Sequence, residues 1–194
     1  MTPTSVLSIG HSNHEPEFFL DLLERHGVEV VADVRSVPRS GYSPQFDRPA
    51  LERILGDRGI RYVFLGDLLG GRPTGDEYYD PSSHVRYDRL AESPEFLGGL
   101  DRLIVGTERY VVAMMCSEED PTTCHRHLLI SRVLTERGTP VGHIRKDGRV
   151  ETEADLPPQP ALQIETSLFG EETSTWRSIR PVSRGGPPGG SSGD

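Results

Sequence analysis

Five short apolar runs, separated by stretches with helical periodicity, constrain this chain more than anything else in it. Val28 to Val34 is β-branched and nearly all apolar, the pattern of a strand buried on both faces. Val6 to Ile9, Ile60 to Leu65, Tyr110 to Met115 and Val141 to Ile144 read as four more strands. Between them, Pro16 opens a helix with Phe18, Phe19, Leu22 and Leu23 on its apolar side and Gly27 as its cap. Pro49 opens a second, carried by Leu51, Ile54 and Leu55. Ser93-Pro94 caps and opens a third, which runs through Phe96, Leu100 and Leu103. A fourth, capped by Thr122 or Thr123, runs through Leu128, Leu129, Ile130, Val133 and Leu134 toward Gly138. Alternation of this kind predicts an α/β fold, a Rossmann-like open and mostly parallel sheet with helices on both faces. Strand order does not follow from it.

In a parallel sheet the loops that follow the strands share one edge. Here those loops carry Gly10-His11-Ser12-Asn13, Asp33-Val34-Arg35, Gly66 to Arg72 and Cys116-Ser117-Glu118. The expectation is a pocket at that edge. The densest chemistry lies in Cys116 to Arg126, which holds both cysteines, eight positions apart, with His125 and Arg126 directly after the second.

Several roles are open to these residues. A helix start and the neighbouring His125 and Arg126 would lower the pKa of Cys124, which makes Cys124 or Cys116 a candidate nucleophile or redox thiol. Both also fit as small core residues or as a disulfide. His11 and Glu118 are candidates for proton transfer; His11 fits equally well as a hydrogen-bonded core residue. Arg35, Arg39, Arg72 and Arg126, with Ser12 and His125, would hold a phosphate or carboxylate. A metal centre would draw on Cys116, Cys124, His125 and His11. An adjacent Cys–His pair is awkward for one tetrahedral ion and there is no CxxC, so no metal is assigned. No cofactor is identified, and P-loop and GxGxxG signatures are absent.

The pieces IGHSN (9–13), DVRSVPRS (33–40), FDRPALERIL (46–55), GIRYVFLGDLLGGR (59–72), MCSEEDPTTCHR (115–126) and VGHI (141–144) together resemble the DUF488 family. That group is named for its lack of an assigned function. The resemblance spans roughly residues 5 to 147 and implies a Rossmann-like α/β fold without a settled reaction.

Residues 1–150 are therefore expected to form the α/β domain. From Glu151 onward Pro, Gly and Ser supply 18 of 44 residues, and 151–194 reads as a flexible tail. Within it, Glu165-Thr-Ser-Leu168-Phe169 resembles the bacterial sliding-clamp binding peptide, usually QLSLF. Leu168 and Phe169 would fill the clamp's pocket. Glu165 and Thr166 depart from that form.

A net charge of −9 argues against coating nucleic acid by bulk charge, though not against a local basic pocket. No apolar run approaches a membrane span, and the N-terminus lacks a signal-peptide pattern, so the expected location is cytoplasmic. The function expected is an enzyme that binds an anionic, nucleotide-like or phosphate-bearing small molecule at a Cys/His/Arg site. The alternative is a non-catalytic nucleic-acid-processing or DNA-repair accessory tethered through its tail.

Overall fold

The run expected to be a strand at 28–34 forms β2, Val30–Asp33, with all four residues buried. A computed structural model describes residues 5–157, 163–166 and 172–183. Around β2 it assembles β1 (Val6–Gly10), β3 (Arg61–Phe64), β4 (Val112–Cys116), β5 (Val141–Ile144) and β6 (Val150–Thr152) into one sheet of order β3-β2-β4-β1-β5-β6. All neighbours run parallel except β6, which pairs antiparallel with β5 at the edge. The expected α/β class and open, mostly parallel sheet hold.

Side chains alternate across the sheet, and each face has its own core. Ile9, Val31, Ala113, Met115 and Ile144 pack against α1 (Pro16–Arg25), α2 (Arg48–Asp57) and Phe46. On the opposite face Val30, Ala32, Val112, Met114 and Val141 meet the helices that follow β3 and β4. On that face lie the short α3 (Gly66–Leu69) and α4 (Tyr87–Leu90), the longer α5 (Pro94–Thr107), and a wide π-helical turn, Arg126–Ser131, that continues into α6 (Arg132–Glu136). Ser93 caps α5 as expected, its hydroxyl accepting from the Phe96 amide. The helix after β4 is capped differently from expectation. Asp120 caps a separate turn at Pro121–Thr123, and Cys124 is an extended residue whose carbonyl accepts from His127 and Leu128.

Because β4 lies between β1 and β2, its C-terminal residue Cys116 sits at the middle of the sheet edge. From the neighbouring strands β2 and β4 the chain leaves toward β3 and toward β5, in opposite directions, and such a divergence opens a crevice at the strand ends. Asp33, Gly10 and Cys116 all end strands there.

The boundary expected at residue 150 falls inside β6. Glu153, just beyond it, bonds to His127 and His143 on the domain. Trp176 stacks edge-on against Tyr87 and lies under Arg132. Ser178 and Val182 then bond to Val85 and Ser83, so Trp176 to Val182 straps onto the loop before α4. β7 (Gln163–Thr166) and β8 (Glu172–Thr175) form a two-stranded antiparallel ribbon. Leu168 and Phe169, with the clamp-like peptide they would anchor, lie outside the described residues. No helix among the described residues is long and apolar enough to cross a membrane.

Candidate functional site

Cys124 and His125 are neighbours in sequence yet face the same point. Cys124 is extended (φ −117°, ψ 143°) and His125 is helical (φ −58°, ψ −23°), so the chain bends between them. The Nδ1 atom of His125 stands 3.7 Å from the Sγ of Cys116 and 3.8 Å from the Sγ of Cys124. Its Nε2 donates to the Val34 carbonyl at 3.1 Å, which fixes the ring and leaves Nδ1 facing both sulfurs. The ring packs against Gly71, where a Cβ would come within 2.8 Å of it. Both cysteines are free and buried. The Cys116 thiol donates to Glu118 Oε2 at 3.1 Å.

The electrostatics of this cluster are asymmetric. Burial pushes the Cys124 thiol up, but the Cys116 hydrogen bond, His125 and Arg126 outweigh it and hold Cys124 well below the ordinary thiol value. The hydrogen bond to Cys124 and then burial push Cys116 well above it. Glu118 lies at the rim, yet loss of water around its carboxyl and the charge on Cys124 raise its pKa. Burial lowers His125, but Cys124 more than reverses this.

This cluster floors a cleft of about 580 Å³. Arg35, Tyr87 and Leu128 line its walls, and Arg39, Arg72 and Arg180 stand around it with exposed side chains. No carboxylate pairs with any of these three arginines among the described residues. A second cleft of about 790 Å³ adjoins it, sharing Ser36, Val37 and Arg72 and including Phe64, Leu68 and Tyr78.

The structure thus brings Cys116, Glu118, Cys124, His125, Arg35 and Arg39 to one cleft. Three expected participants stand elsewhere. Arg126 is wholly buried and donates to Ser8 Oγ and to the carbonyls of Glu118 and Glu119, so it clamps the loop after β4 rather than a ligand. Gly10 makes that clamp possible: a Cβ there would come within 1.7 Å of the Glu118 carbonyl oxygen. His11 lies behind the cleft with both ring nitrogens engaged. Its Nδ1 donates to Ser12 O at 2.7 Å, and its Nε2 accepts from Arg35 at 3.1 Å. Burial and the Arg35 charge lower its pKa to about 4, so it is neutral near pH 7. Ser12 adopts a left-handed turn (φ 47°), and its hydroxyl donates to Asn13.

Arg35 lines the cleft, but most of its guanidinium is engaged. It makes two bonds to the Asp33 carboxylate and a third to Phe46 O. Its role is to hold the end of β2 against the first loop. Arg180 could not be singled out in the sequence because it lies within the segment read as a tail, just before its Pro/Gly-rich end. The one available signal was the chain's only tryptophan, Trp176, four residues upstream.

Two groups of side chains have donor atoms within 4.8 Å of one another, as metal ligands do: Cys116 with Cys124 and His125, and His127 with His143 and Glu153. In the second, Ser8 bonds to His143 Nδ1 at 2.7 Å, and both imidazoles bond to the Glu153 carboxylate at 2.7–3.1 Å. That group is already satisfied by hydrogen bonds.

A family model described as "Domain of unknown function DUF488" matches residues 15–133, which hold every cleft residue named above except Arg180. No curated protein and no solved structure matches the chain.

Proposed function

This chain belongs to the DUF488 family, and we propose that it is an enzyme binding an anionic small molecule, nucleotide-like or phosphate-bearing, at the C-terminal edge of its sheet. The observation that carries this reading is the unpaired arginine triad, Arg39, Arg72 and Arg180, around a floor of two thiols and an imidazole. In a chain of net charge −9, three cations without carboxylate partners around one cleft favour an anion there. Guanidinium forks suit phosphate and carboxylate oxygens.

The adjoining cleft gives the rest of the ligand a place. Phe64, Leu68 and Tyr78 offer apolar and aromatic surface for a ring system, and Arg72 belongs to both clefts. An anionic group beside Arg72 would leave the ring on one side and the Cys116–Cys124–His125 floor on the other. Glu118, bonded to the Cys116 thiol, is the carboxylate nearest the reacting position and is suited to moving a proton.

Calorimetric titration of the full chain with a nucleoside monophosphate, and with the matching uncharged nucleoside, tests the reading. The monophosphate should bind and the nucleoside should bind at least about tenfold more weakly. Equal affinities, or no binding of inorganic phosphate, pyrophosphate or nucleotide, would overturn it.

A further inference from the structure

Three donors, two sulfurs and an imidazole nitrogen, converge on one point in the cleft floor. The sulfur-to-nitrogen distances are 3.7 and 3.8 Å, and Nδ1, with Nε2 already committed to Val34, faces both sulfurs at once. The same distances suit two ligands of a tetrahedral ion. Bonds of about 2.3 Å to sulfur and about 2.0 Å to nitrogen place those two atoms about 3.5 Å apart. All three donor atoms also lie within 4.8 Å of one another. We propose that Cys116, Cys124 and His125 bind one divalent transition-metal ion of the zinc type, with a further coordination position open to the cleft. This deepens the enzyme reading above and rests on it for the nature of the ligand that would reach the open position.

Four observations support the assignment. The donor set, two thiols and an imidazole, is the one that borderline-soft ions such as Zn²⁺ select over hard cations. The contact from His125 Nε2 to a main-chain carbonyl is the outer-shell bond that orients a metal-bound imidazole. The bend between Cys124 and His125 removes the objection that adjacent residues cannot share one ion. All three side chains line the cleft, and no fourth side chain joins their group among the described residues, so the site is open rather than closed. The His127–His143–Glu153 group differs in offering no sulfur donor and in lying outside the lining of the cleft. With the ion bound, the floor becomes a Lewis-acid centre beside Glu118, facing an arginine-lined anion site.

The test is titration of the full chain, reduced and freed of metal by a chelator, with Co²⁺. The expected result is one Co²⁺ per chain, with a thiolate-to-cobalt charge-transfer band, the visible bands of a tetrahedral ion, and displacement by Zn²⁺. Cys124→Ser should weaken Co²⁺ binding by at least ~100-fold, and His143→Ala should leave it unchanged. A second measurement needs no variant: saturating Zn²⁺ should slow alkylation of both cysteines, read by mass spectrometry, at least tenfold. Cobalt bound without a thiolate band, loss of binding in His143→Ala, or alkylation indifferent to Zn²⁺ would each overturn the proposal. Phosphate binding to the metal-free chain is measured in parallel. Phosphate binding by a chain that binds no Co²⁺ overturns this site and leaves the cleft reading standing, and Co²⁺ binding by a chain that takes no phosphate, with or without the metal, does the reverse.

Discussion

His125 donates from Nε2 to the carbonyl oxygen of Val34 at 3.1 Å, and this one contact joins the loop after β2 to the turn after β4. It decides which nitrogen faces the thiols. It also makes the cleft floor a joint product of the loops after two strands, through residues 91 apart in sequence. The chemistry argued for the cleft depends on that junction and on the loops that hold it in place.

Arg72 is expected to contribute to affinity and not to folding. Its backbone amide is held by Ser36 Oγ, while its side chain is exposed on the cleft. Arg72→Ala should weaken binding of pyrophosphate or a nucleoside monophosphate by about 10- to 100-fold, the worth of one charge-assisted contact. It should leave the unfolding midpoint in urea unchanged. Calorimetry and urea melts read the two effects separately, and unchanged affinity would remove Arg72 from the anion site.

Arg126 should behave in the opposite way. Its guanidinium serves Ser8, which also bonds to His143, and the Glu118 and Glu119 carbonyls of the loop after β4. Arg126→Met should destabilise the fold by about 3 kcal/mol, since buried acceptors left unpaired cost about 1–3 kcal/mol each. A chemical denaturation curve that matches wild type would show that the clamp contributes nothing.

Gly10 offers a steric test of the same loop. A methyl group there runs into the Glu118 main chain, whereas one at Gly98 on α5 meets nothing within 4 Å. Gly10→Ala should cost about 2 kcal/mol or more through backbone displacement. Gly98→Ala should be neutral or stabilise by up to about 1 kcal/mol, as expected in a helix interior. Equal melting temperatures for the two variants would mean that the close approach is not needed.

His11 sets a pH dependence with a definite sign. Burial first, and then Arg35, lower its pKa from 6.5 to about 4 in the folded chain. Between those values the unfolded chain binds a proton that the folded chain refuses, so stability falls as pH drops through that window. The full effect is about 3 kcal/mol, and above pH 6.5 it vanishes. His11→Gln has no such group, so its stability relative to wild type should rise as pH falls toward 4. Parallel wild-type and variant curves in urea melts across that range would contradict the assignment.

The elements governed by periodicity were readable in the sequence. Val30–Asp33 and Val112–Cys116 announced themselves as buried strands, and their parallel alignment alone brought Arg35 and Cys116 to one edge. What could not be read depends on side-chain direction. The string Cys124-His125-Arg126 suggests one functional unit, but the bend at Cys124 sends the first two toward the cleft and the third into the core. The strap from Trp176 to Val182 was equally hidden, because its docking depends on Tyr87 and Arg132, which local composition does not reveal.

The most direct test of the cleft itself is a crystal structure of the full chain grown with a nucleoside monophosphate. The account predicts the phosphate among Arg39, Arg72 and Arg180, in reach of the Cys116–Cys124–His125 floor, with the base against Phe64 or Tyr78. A nucleotide bound elsewhere, with the arginine-lined cleft left vacant at saturating concentration, would contradict it.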